Sequence, residues 1–82
     1  MATTKAEIKR WLNKAKAEGT THMLVVCDTF DHDDYDVPVK PTEKVADVVA
    51  KYRAMSMQRV MEVYDLSLDL EMQLVERRAW HL

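Results

Sequence analysis

The chain has 82 residues, with 12 lysines and arginines against 14 aspartates and glutamates, a formal net charge of −2, and a single cysteine. One domain is expected at this length, and a charge balance this close to neutral does not point to a nucleic-acid partner. Cys27 alone cannot form an internal disulfide, which fits a reducing compartment, and no apolar run approaches the roughly eighteen residues of a membrane span.

Met1 to Lys5 leads straight into a polar helical pattern without the apolar core of a signal peptide, so a small cytoplasmic domain is expected. Thr4 and Glu7 have the spacing of a capping box, in which a threonine hydroxyl takes an orphan amide of the first turn. Ile8, Trp11, Leu12 and Ala15 follow at helical spacing, and Gly19 stands where a left-handed residue ends a helix. These signals predict a helix over 5–18 with Trp11 as its core anchor. Residues 1–19 carry five basic side chains against Glu7 and Glu18. A solvated lysine-rich face accounts for them.

Met23 to Cys27 is apolar without alternation, as expected of a strand covered on both faces. Tyr35 to Lys40 alternates, and Pro38 cannot donate to a ladder, so that segment belongs at a sheet edge. Between them lies an acidic connection. Asp28, Asp31, Asp33, Asp34 and Asp36 fall within nine residues, with His32 among them. The whole reads as a β-hairpin whose carboxylates project into water at one tip.

Thr42 then offers a helix N-cap, and Val45, Val48, Val49 and Tyr52 predict a helix over 43–54. The last third carries two competing periods. Met57, Val60, Met61 and Tyr64 fit a helical face, while the even positions from Tyr64 to Leu74 are all apolar. A strand over 57–65 followed by a helix over 69–80 reconciles them, with Ser67 or Asp69 as cap. The helix would bury Leu70, Leu74 and the Arg77 stem, with Val75 beside them. A mostly helical chain, in which 43–64 is one broken helix, is the alternative. The expected fold is α+β, in the order α-β-β-α-β-α, with a small, mostly antiparallel three-stranded sheet carrying its helices on one face.

Thr21-His22-Met23 through Asp31, Met57 through Leu66, and Arg78-Ala79-Trp80-His81 together resemble small hypothetical proteins encoded by tailed bacteriophages and prophages. The resemblance spans nearly the whole chain and carries no assigned activity. It implies a setting, the cytoplasm of an infected bacterium, and a role in binding host or defence components without chemistry.

The residues favour no catalytic constellation. A calcium loop counted from Asp31 puts Asp36 where a turn glycine is needed and Thr42 where a bidentate glutamate belongs. His22, His32 and His81 are scattered, which argues against structural zinc. Cys27 sits inside an apolar strand, where burial raises a thiol's pKa and makes it inert. The lone Gly19 excludes a phosphate-cradling glycine loop, and Ser56 and Ser67 have no His-Asp neighbours in sequence. The basic first helix lacks exposed aromatics for stacking on nucleic acid. Six methionines are gap-filling in a small core, or line an adaptable surface.

The expectation is a non-enzymatic protein without cofactor or metal. It would bind a protein partner through Asp28, Asp31, His32, Asp33, Asp34 and Asp36 and the adjoining edge strand. Self-association through that edge or an exposed helical face is a second expectation. The alternative is a small-molecule or divalent-metal site at Asp28 and Asp31, with His32 as proton carrier.

Overall fold

The computed structural model describes residues 3–76. Six elements follow one another: α1 (Lys5–Ala17), β1 (His22–Asp28), β2 (Asp33–Val39), α2 (Val45–Ala54), β3 (Gln58–Asp65) and α3 (Leu70–Glu76). The order is α-β-β-α-β-α, an α+β architecture with helices packed on a three-stranded antiparallel sheet.

Both ends of α1 are set by local chemistry. Thr4 accepts the Glu7 amide at 3.2 Å. At the other end Gly19, at φ +77°, lets its own amide reach Lys16 and the Thr20 amide reach Ala15, so the final carbonyls are satisfied. Ile8 and Leu12 are fully buried, whereas Trp11 is only half-buried against the same cluster. The anchors of α1 are therefore its aliphatic residues, and the indole covers them from the side.

β1 is the central strand, flanked by β2 and β3. Met23, Leu24, Val25 and Val26 are all fully buried, which requires apolar cover on both faces. Connectivity supplies it. β2 and β3 are each antiparallel to β1 and hence parallel to one another, so the chain between them must cross a face of the sheet. α2 makes that crossing and packs Val48 on Leu24, Val26 and Val39. α1 and α3 lie on the opposite face, with Ile8, Leu12 and Leu74 against Met23, Val25 and Tyr64. The helices thus occupy both faces of the sheet, not the single face expected from sequence.

α2 starts at Val45, with Lys44 in the cap position and no side-chain cap bond, so Thr42 does not cap it. Lys40-Pro41-Thr42-Glu43 instead closes a turn. The Glu43 amide donates to the Lys40 carbonyl at 2.9 Å, and the Lys40 amide donates to the Glu43 carboxylate at 3.1 Å. Proline at the second turn position favours this over helix. Met55 is extended and Met57 has φ +60°, which ends α2 and rules out one broken helix over 43–64.

β3 explains the mixed periodicity. Val25 pairs with Glu62 and Val26 with Val60, so Met61 is an extra residue at a β-bulge. The bulge lets Val60 and Val63, three residues apart, both join the α2 side, while Met61 and Tyr64 join the α1 side. The even-numbered apolar residues beyond Tyr64 belong to a strand end, a turn and a helix in succession. Asp69 caps α3, accepting the amides of Glu71 at 2.9 Å and Met72 at 3.3 Å. On α3, Leu74 is buried as expected, but Val75 is 61% exposed and Gln73 takes the second buried position. Arg77 and the remainder of the helix expected to residue 80 lie outside the described residues. Among those described, no helix is long and apolar enough to cross a membrane.

Candidate functional site

The β1–β2 hairpin brings the acidic segment to one end of the sheet. Four residues, Thr29 to His32, connect the strands. Asp28 organises them. Its carboxylate accepts the amides of Phe30 at 2.9 Å and Asp31 at 3.4 Å, and its carbonyl accepts the His32 amide at 2.7 Å. His32 completes the reversal at φ +59°, a left-handed conformation uncommon for a residue with a β-carbon. The Thr29 amide donates at 2.8 Å to the Met57 carbonyl, tying this loop to the α2–β3 connection. The tip is therefore braced from within and from the side.

Strand register then separates the six residues expected to act together. Asp33 pairs with Asp28, Asp34 with Cys27 and Asp36 with Val25, so successive side chains alternate between the faces. Asp31, His32 and Asp33 are exposed; Asp28, Asp34 and Asp36 are half-buried. Asp34 turns inward and accepts a hydrogen bond from the buried Thr3 hydroxyl. Asp28 is committed to backbone capping. A uniform acidic tip is thus replaced by an outward trio and three carboxylates partly within the fold. Among the described residues no three His, Cys, Asp or Glu side chains are gathered in a way that could hold an ion.

Cys27 is half-buried at the margin of the sheet and not within either core cluster. Burial pushes its thiol above the ordinary range. The Asp34 hydrogen bond and the charges of Asp34 and Asp28 push the same way, against a smaller opposing pull from Arg59. On the other face Tyr35 donates to the Gln58 side-chain carbonyl and packs its ring at 60° to Tyr52, with centroids 6.4 Å apart. Its phenol is also raised, first by burial and then by Tyr52 and Asp28.

The apolar residues of the tip escaped notice in the sequence. Phe30 is 72% exposed, and Met57 and Met55 beside the bracing contact are exposed too. A phenylalanine between aspartates was the available signal for it. Among the described residues, Met23 is core, Met61 is half-buried, and Met55, Met57 and Met72 face solvent.

The far end of the sheet holds a second polar cluster. His22 is half-buried, with Nδ1 3.0 Å from the Thr21 hydroxyl and Nε2 3.7 Å from the Asp65 carboxylate. Ser67 donates to Asp65 through both its amide, at 2.9 Å, and its hydroxyl, at 2.6 Å. Buried Gln73 accepts the Asp65 amide at 2.8 Å and donates to the Asp65 carbonyl at 2.8 Å. These bonds close the end of β3 against α3; Ser67 serves as a turn residue.

Comparison with protein-family models, curated protein sequences and solved structures found no match to this chain.

Proposed function

We propose that the chain is a non-enzymatic, phage-type accessory protein that binds a protein partner, a host or defence component, through the hairpin tip and the adjoining edge of β2. One observation carries this reading: Phe30 stands 72% exposed on a loop braced by Asp28 and by Met57, flanked by the exposed Asp31 and Asp33. A large aromatic held in water by fixed backbone bonds loses little entropy when it enters a pocket. The neighbouring carboxylates select a basic rim and accelerate encounter. The complementary surface is an apolar pocket bordered by lysine or arginine.

A pull-down from bacterial lysate with wild-type and Phe30→Ala protein tests this reading. A partner retained by the former and lost by the latter supports it. Neutralising Asp31 and Asp33 together should slow association several-fold and flatten its salt dependence. Equal capture by wild type and both variants removes the tip from consideration. A rise in melting temperature with a divalent ion or nucleotide would instead favour a small-ligand site, since specific binding stabilises the folded state by mass action.

A further inference from the structure

The two faces of the sheet are unequally covered. Among the described residues, α1 and α3 share one face, whereas the other carries only the ten residues of α2. Beside α2 lies an open groove of about 650 Å³, lined mainly by Val49, Ala50, Ala54 and Val63, with Arg53 at its rim. Ala46, Ala50 and Ala54 are exposed along one stripe of the helix, four residues apart, where a second helix could approach closely.

We propose that a second copy of this chain covers the groove, its α2 packed antiparallel against this α2 about Ala50. Charge complementarity selects this occupant. The first turn of α2 carries Asp47 and its last turn carries Lys51 and Arg53. A parallel copy would set Asp47 beside Asp47 and align the helix dipoles, whereas an antiparallel copy brings Asp47 towards Lys51 and opposes the dipoles; Lys44 at the N-cap and Arg53 on the groove side stand outside this match. Asp47 and Lys51, four residues apart, lie on the same flank of the alanine stripe. Side chains on the same flank face one another across an antiparallel twofold seam. Asp47 of each copy therefore meets Lys51 of the other, making two equivalent ion pairs around an alanine contact. The surface is complementary to itself in one orientation, as a twofold interface requires.

Sedimentation velocity over a concentration series on the full chain tests the seam. Wild-type protein is expected to pass from monomer to dimer as concentration rises, and a species that stays monomeric up to about 1 mM overturns the proposal. Ala50→Glu places two like charges at the twofold axis and should weaken the dimer at least about tenfold. Ala50 is exposed in the monomer, so the circular dichroism spectrum should not change. Asp47→Lys should also weaken the dimer, and adding Lys51→Asp to it should restore the affinity by exchanging the charges. A dimer indifferent to all three variants, or an exchange that restores nothing, refutes an antiparallel α2 seam. So does a foreign protein that binds α2 and leaves the chain monomeric. None of these variants alters the hairpin tip, so this result and partner capture through Phe30 succeed or fail separately.

Discussion

The two ends of the sheet use the same side chain in different ways. At the α3 end, Asp65 has its carboxylate engaged by Ser67 and its backbone amide and carbonyl both engaged by Gln73. At the hairpin end, Asp28 caps its own loop, yet the residues it positions, Phe30, Asp31 and His32, are presented to solvent. An aspartate at a chain reversal is thus first a backbone acceptor. The functional question passes to the side chains that the capped loop displays. One end is closed by its hydrogen bonds and the other is held open by them.

Substitutions can sharpen or break this contrast. The largest effect is expected at the closed end. Gln73→Ala removes the side chain that accepts the Asp65 amide and shares the Asp65 carbonyl with the Leu68 amide, and should cost about 1–3 kcal/mol in urea unfolding. A loss within about 0.5 kcal/mol would mean that water replaces the amide and that the end is not closed. Asp28→Ala should come next, at about 1 kcal/mol, the usual value of a lost capping oxygen. Hydrogen exchange at Phe30 and Asp31 should rise in the same variant. Replacing Asp31 and Asp33 by Asn should leave unfolding within about 0.5 kcal/mol of wild type, because exposed carboxylates outside the capping network contribute little to the fold. A larger change would show that the displayed residues are structural after all.

The smallest effect belongs to Cys27. Its thiol is raised in the folded state by burial and by Asp34, so the folded chain keeps this proton to higher pH than the unfolded chain. The contribution is complete below the unfolded thiol's value of about 8.5 and is lost as pH climbs through the higher folded value. Stability should therefore decline across that alkaline interval, and Cys27→Ser should flatten the decline. A thiol reagent should also label Cys27 in the folded chain more slowly than in the urea-unfolded chain at the same pH.

Much of the fold was legible because single residues carry strong local physics. Thr4 and Gly19 bracket α1, Pro38 marks an edge, and the unbroken apolar run from Met23 marks a strand covered on both faces. Thr42 misled because Pro41 drew it into a turn. Val75 misled because α3, over its described residues, turns Gln73 and Leu74 inward and leaves Val75 on its outer side. At the candidate site, clustering in sequence suggested clustering in space. Alternation along β2 works against it, sending Asp34 and Asp36 to one side and Asp33 to the other. Gln73 carried no signal at all, since a glutamine on a helix acquires its role only when a strand end arrives beside it.

Local sequence, then, determined the kinds of element, their order, the cover of β1 on both faces and the edge position of β2, because capping, proline geometry and continuous apolarity act within a few residues. Only tertiary structure decided which face each helix covers, where the bulge falls and which carboxylates turn inward. Those outcomes depend on a crossover between parallel strands and on register against a partner, and both join residues far apart in the chain.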